Sequence, residues 1–338
     1  DDVVLATGSR PLALPGNPFA GALIDSTQAL ELNTLPSSAV IIGAGAVALE
    51  FASLWNAAGC EVTLLIRKDR VLSTWERRAS MTLTRELKRR GVNVIARTAV
   101  DRVDTGANLG ATVHYLQGDS DEDRTAYGEV VLAAIGRVPN TDADWFRSSG
   151  LKLDERGYVT VDGYGRTNLD GVWALGDITP GHALAHRAFE QGITIAEKIA
   201  GADPKPVLDD TVPQVVFSFP EAASVGLTLD QAKAREDVVE PKETAYPMLS
   251  NARMLMSGEG GSMTVVSGAF ANNPDMQVVL GVHIVSPIAS DLIAEAEQLV
   301  GNRVPLADAA RLIHPHPTFS ETLGEALLKA DGRPLHTR

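Results

Sequence analysis

The chain predicts an α/β fold followed by a separate α+β module, and three observations carry that expectation. A buried strand, a Gly-rich turn and an apolar helix stand together in "AVIIGAGAVALEFASLWNAAG" (39 to 59). Strand-like and helix-like stretches alternate from there to about residue 141, which calls for right-handed crossovers and a parallel sheet. Beyond residue 208, strands come first and helices last, the order of an α+β unit.

Taken in order, "VVLATG" at the start reads as an interior strand reaching a Gly turn, so the chain is expected to begin within a domain. After the Gly-rich turn and its helix, "CEVTLLIRKDRVL" supplies a second strand and its exit loop. Residues 76 to 90 are helical and charged, "GVNVIA" (91 to 96) is a third short strand, and "VVLAAIGRVPNT" (130 to 141) closes the unit. The next segment, to about 208, holds "GVWALGD" (171 to 177) and a helix starting near Ala183. The linker "GADPKPVLDDTVP" (201 to 213) marks a boundary by its Pro and Asp content. Then follow "QVVFS", a helix near 228 to 235, the strands "GSMTVVSG" and "QVVLGVHIVS", and helices at about 288 to 300, 305 to 312 and 317 to 330.

A length of 338 residues allows two or three domains with buried cores. The net charge of −13 argues against nucleic acid or an anionic membrane as partner. The acid-rich "DSDED" (119 to 123) reads as a solvated turn. No apolar run approaches the roughly 18 to 20 residues a spanning helix needs, and the start has no signal-peptide pattern. Cys60 is the single cysteine, which excludes an intramolecular disulfide framework, and the cytoplasm is the expected compartment. No metal site is expected.

"GAGAVALE" places Gly43, Gly45 and Ala48 in a GxGxxA pattern between strand and helix. Gly43 permits the tight turn, Gly45 lets the backbone approach a pyrophosphate, and Ala48 allows close helix–strand packing. That context makes the stretch a Rossmann-like dinucleotide site. At the end of the second strand, "LLIRKD" offers Arg67 and Lys68 where an NAD site usually has an acid. Two cations suit a 2′-phosphate, and a solvated basic loop is the alternative. Glu50, on the first helix, could face solvent or a nicotinamide. Asp177 ends a strand at a sheet's carboxyl edge, where it could accept from ligand hydroxyls or cap the following helix.

"IHPHPTFSET" (313 to 322) is the most specific stretch. Two prolines forbid helix around His314 and His316, and a helix is expected to start at Pro317. Glu321 would then lie about one turn inside, within reach of His316.

Together these segments resemble the FAD-dependent pyridine nucleotide–disulfide oxidoreductases, and among them the dihydrolipoamide dehydrogenases. "LATGSRP" (5 to 11) and "LAAIGRVPNT" (132 to 141) are similar to the family's exits between its FAD and NAD domains. "RTNLDGVWALGD" resembles the second FAD motif, "LAHRAFEQG" (184 to 192) the helix beside the flavin, and "HPHPTFSE" the HxHPTxxE signature. The resemblance implies Rossmann-like FAD- and NAD(P)-binding domains, the FAD domain incomplete, and a C-terminal α+β dimerisation domain. The expected divisions are 1–25 and 142–208 for FAD, 26–141 for NAD(P), and 209–338 for the dimer interface. It implies FAD contacts at Thr7, Gly8, Asp177, Leu184, Ala185 and His186. NAD or NADP contacts are implied at Gly43, Gly45, Ala48, Glu50, Arg67, Lys68 and Gly136. His316 becomes the acid–base for a dithiol substrate, polarised by Glu321, in the other subunit's site of a homodimer. A small disulfide or a lipoyl domain is the implied partner.

Two departures accompany the resemblance. No first FAD-binding GxGxxG and no CxxxxC occurs in these residues, so the chain is expected to be an inactive fragment of a longer flavoenzyme. Ala48 and Arg67-Lys68 look more like the NADPH-using glutathione reductases, which leaves NAD against NADP open. The rival expectations are a glutathione reductase-like enzyme, a flavin quinone reductase, and a non-catalytic nucleotide-binding dimer.

Overall fold

The computed structural model describes residues 1–106 and 110–337. It divides into two compact units, one of Asp1–Leu12 with Gly136–Val212, the other of Ala13–Ile135 with Pro213–Arg338.

The larger unit holds a five-stranded parallel sheet in the order Leu23–Ile24, Val130–Ala133, Ser38–Ile42, Glu61–Ile66, Asn93–Ala96. Consecutive strands advance to one side of Ser38–Ile42 through the helices Ala46–Ala57 and Arg77–Arg89. The chain then returns to the other side with Val130–Ala133, so the strand order reverses beside Ile42. Open α/β sheets bind ligands at the carboxyl ends of strands at such a reversal. The three central strands are buried over most of their length, and helix Ala46–Ala57 seals them with Ala48, Leu49, Phe51, Ala52 and Trp55.

A second, antiparallel sheet runs Gln214–Val216, Glu221–Gly226, Asn273–Ser286, Ser262–Phe270, Val238–Pro247. Helices Ala289–Gly301 and Glu321–Ala330 bury Ala289, Leu292, Ile293, Ala296, Leu323, Ala326 and Leu327 against it. Val216, Ala222 and Val285 join the apolar cluster of the parallel sheet instead, so the two sheets share one continuous core.

The smaller unit is thinner. Val3–Leu5 pairs in parallel with Val172–Ala174, and Ser9–Pro11 pairs antiparallel with Arg137–Pro139. Helix Ala185–Ile199 and a compact core of Phe146, Leu151, Val159, Ala174 and Ile178 complete it.

The compact units part at Leu12/Ala13, Ile135/Gly136 and Val212/Pro213, where the expected domain divisions stood at 25/26, 141/142 and 208/209. Leu23–Ile24 is an edge strand of the parallel sheet, and Arg137–Pro139 leaves that sheet to pair with Ser9–Pro11. One expectation needs correction. The last helix begins at Glu321, not Pro317. There the Thr318 hydroxyl donates to the Pro315 carbonyl and the Thr318 N–H donates to Glu321, so local side-chain bonds hold a turn in place of helix. Unforeseen is a three-stranded antiparallel sheet of Thr98–Thr105, Ala111–Gln117 and Arg124–Gly128, inserted before the returning strand. No helix among the described residues is long and apolar enough to cross a membrane.

Candidate functional site

The Gly-rich turn is shaped by exclusion. Gly43 has a φ of +140°, and a Cβ there would stand 2.2 Å from the Ala134 carbonyl oxygen and 3.4 Å from the Ala48 Cβ. No other residue fits between the two parallel strand ends. Gly45 behaves differently: its backbone is extended and a Cβ would meet nothing within 4 Å. It stands at the N-cap of helix Ala46–Ala57 with no side chain bonded to the first-turn N–H groups. Open space in front of unbonded helix N–H donors is what a pyrophosphate requires. Ala48 is fully buried, which lets the helix close on the sheet.

Arg67 and Lys68 follow the last buried residue of strand Glu61–Ile66. Both are exposed, and neither side chain forms an ion pair among the described residues. Glu50 takes a course the sequence left open. Its carboxylate accepts from the Phe217 N–H at 3.0 Å, joining the first helix to the antiparallel module. Burial raises this carboxyl above its ordinary value, and the Phe217 N–H offsets part of the rise.

In the smaller unit, a side-chain relay reaches Asp177 from Ser9, next to Gly8 in sequence, while Thr7 is held by Asn140. Arg137 donates to the Ser9 hydroxyl at 2.6 Å, and that hydroxyl donates to Asp177 Oδ2 at 2.5 Å. The Thr7 hydroxyl donates to the Asn140 carbonyl, while the Asn140 amide donates back to the Thr7 carbonyl. Gly8 and Gly136 both have positive φ where these segments cross. Asp177 lies in the turn Gly176–Ile178, whose Gly176 N–H is held by Gln191 from helix Ala185–Ile199. Leu184 caps that helix without a side-chain bond, and Ala185 and His186 are exposed in its first turn. A carboxylate with one oxygen uncommitted, beside a 15-residue helix whose first N–H groups lack a side-chain cap, suits a ligand with hydroxyls and phosphates. This is the donor set FAD would need, and the Gly43–Gly45 cradle is the one a nicotinamide dinucleotide would need.

Near the C-terminus of the larger unit's sequence, His316 Nδ1 is 2.8 Å from Glu321 Oε1. The other carboxylate oxygen accepts from the Thr318 N–H at 2.8 Å. The histidine side chain is 74% exposed and the glutamate 22%. Burial alone would raise the Glu321 carboxyl, but the Thr318 N–H, the His316 bond and the charges of His316 and His314 together carry it below its ordinary value. A carboxylate that stays ionised and accepts from Nδ1–H would leave Nε2 able to accept a proton.

Several partners escaped the sequence reading. Ser9, Arg137 and Asn140 lie inside the quoted motifs, but nothing in their spacing announces a relay over more than a hundred residues. Arg187 is 5% exposed, donating to Asp209, Thr179 and the Pro180 carbonyl. His314 bonds Glu295, and buried His283 bonds Ser224 and Leu227. Cys60 is buried, with its thiol pushed up to about 11 by burial and two nearby glutamates.

Residues 1–192 match the pyridine nucleotide-disulphide oxidoreductase family and 212–327 match that family's dimerisation domain. A dihydrolipoyl dehydrogenase of Cupriavidus necator is 36% identical over 337 residues, which is 99% of this chain and 69% of that protein. Another from Geobacillus stearothermophilus is 37% identical over 341 residues, with the same coverage. The solved structure of LpdA from Mycobacterium tuberculosis superposes with a TM-score of 0.86 at 29% identity, over 98% of this chain and 70% of that one. The HOCl-induced flavoprotein disulfide reductase RclA of Escherichia coli shares the fold, with a TM-score of 0.83 at 23% identity over 96% and 73% of the two chains. The chain belongs to the pyridine nucleotide–disulphide oxidoreductases. Within them it is a dihydrolipoyl dehydrogenase-like flavoprotein disulfide oxidoreductase, a family that uses FAD and NAD(P).

Proposed function

We propose that this chain carries the nucleotide-binding and acid–base parts of a dithiol oxidoreductase, with His316 as the proton acceptor and Glu321 as its orienting carboxylate. The observation that carries the reading is the 2.8 Å His316–Glu321 bond on a histidine whose side chain is 74% exposed. The net reaction takes two electrons and two protons from a dithiol, leaving a disulfide. It delivers a hydride to the nicotinamide and a proton to solvent. Thiolate, not thiol, is the reacting form of sulfur, so a base near neutral pH speeds the step. Glu321 holds Nδ1–H and stabilises the imidazolium once Nε2 has taken the proton. When bound, FAD supplies the two-electron relay between sulfur and nicotinamide. Asp177 and the Leu184-Ala185-His186 turn would hold it, with Thr7 and Gly8 beside them. Gly43, Gly45 and Ala48 would admit the nicotinamide dinucleotide, and Glu50 would offer its second oxygen.

Dihydrolipoamide, free or on a lipoyl domain, is the substrate the relatives' names point to. The exposed His316 needs a facing surface, which supports a homodimer in which each dimerisation domain completes its partner's site. Exposed, unpaired Arg67 and Lys68 favour NADPH as a second reading of the nucleotide, since a 2′-phosphate would find two cations there. The acidic charge and single cysteine fit a cytoplasmic setting.

The test is a visible spectrum of the full-length native protein, followed by titration with NADH and then NADPH. A yellow protein that bleaches with one of them is the expected result. A colourless protein indifferent to both would overturn the reading.

A further inference from the structure

The signature turn carries two histidines, and the proposed chemistry uses only His316. His314 is nearly enclosed, with its side chain 9% exposed. Its Nε2 stands 2.9 Å from Glu295 Oε1 on helix Ala289–Gly301. On its other side the ring presses on the first turn of helix Glu321–Ala330. A Cβ at Gly324 would come 2.5 Å from His314 Nδ1 and 2.9 Å from Cε1. Glycine inside a helix is less favourable than alanine, and here the missing side chain is the space the imidazole fills.

Pro315 and Pro317 have no N–H to donate, so side chains hold the segment beside His316. Within the turn the Thr318 hydroxyl donates to the Pro315 carbonyl at 2.6 Å. Downstream, Asn251 donates to the Thr318 carbonyl at 3.0 Å and Glu321 accepts from the Thr318 N–H. Upstream, the described anchor is the His314 ring. We propose that His314, clamped between Glu295 and the bare backbone of Gly324, is a positioning residue that sets where His316 stands during dithiol chemistry. This rests on the reading of His316 as the acid–base.

Glu295 from one helix and Glu321 from the other are the charged groups that face the ring. The Glu295 hydrogen bond, working against burial, raises the imidazole above its ordinary value, and the Leu312 carbonyl and Glu321 add to it. The charged clamp is therefore complete at low pH and loosens as pH rises through that raised value. Dithiol turnover acquires an alkaline limb whose position reports His314.

The test uses full-length, FAD-loaded enzyme with dihydrolipoamide, measuring kcat and KM across pH for wild type, Glu295→Gln, His314→Gln and His316→Gln. Glu295→Gln, isosteric but uncharged, is expected to move the alkaline limb down by about one pH unit. His314→Gln keeps one N–H donor and does not titrate. It is expected to lower kcat about tenfold with little change in KM, and to abolish the limb. Profiles for both variants that overlay wild type, while His316→Gln loses the dithiol rate, would overturn this inference alone. A His316→Gln enzyme with the wild-type rate would overturn the acid–base reading and this inference with it. Should His314→Gln fail to fold, the Glu295→Gln profile still decides.

Discussion

The Gly-rich turn at 43 to 48 and the histidine turn at 314 to 321 are built on opposite plans. In the first, the proposed function rests on what is absent: Gly43 leaves room for the Ala134 carbonyl, and at Gly45 a Cβ would meet nothing within 4 Å. In the second it rests on side chains that hold one another, Glu295 to His314 and Glu321 to His316. A site made of backbone can be damaged by adding atoms, and a site made of side chains by removing them. The contrast makes specific substitutions informative.

The largest effect should come from the backbone site. Gly43→Val would drive Cβ into the Ala134 carbonyl at a φ that side chains rarely adopt. It should cost about 3 kcal/mol or more of stability, read from denaturant midpoints. Gly45→Ala meets nothing, so stability should stay within about 0.5 kcal/mol while nucleotide affinity falls. If the two substitutions destabilised equally, the division of labour between the glycines would be lost. Next in size, removing both cations by Arg67→Ala with Lys68→Ala should raise the KM for NADPH about tenfold and leave NADH little changed. Equal effects on both nucleotides would assign the pair to a solvated loop.

The smallest effect concerns a histidine used for packing, which sharpens the contrast with His316. His283 is buried, accepting from the Ser224 hydroxyl at Nδ1 and donating to the Leu227 carbonyl from Nε2. Burial holds it below its ordinary value of 6.5, although nearby Glu76 and the Leu227 carbonyl pull the other way. The unfolded chain therefore takes up this proton first. Stability should be full above about pH 6.5 and decline as pH falls towards the folded value, by a few degrees in Tm down to about pH 5. His283→Gln should flatten that slope, and an unchanged slope would place the titration elsewhere.

How far the sequence could be read follows from the same contrast. The strand, Gly-turn and helix around Gly43 were legible because sterics impose a fixed spacing on a short stretch. The fold class and most helices were legible by periodicity, down to Leu229–Ala234. Leu23–Ile24 was not, because two residues carry no period. The helix expected at Pro317 starts at Glu321 because Thr318 satisfies its neighbours through side-chain bonds that compete with helix. His316 and Glu321 were legible as a pair five residues apart. His314 and Glu295 are separated by 19 positions on different elements, and Ser9 and Asp177 by 168, so only folding brings them together.

The most direct test of the account is a rapid-mixing comparison of full-length, FAD-loaded wild type and His316→Gln, each driven by dihydrolipoamide at neutral pH. The account predicts that flavin reduction by the dithiol slows at least about a hundredfold in the variant, the share general acid–base catalysis supplies. Dithiol-driven reduction at the wild-type rate would contradict it.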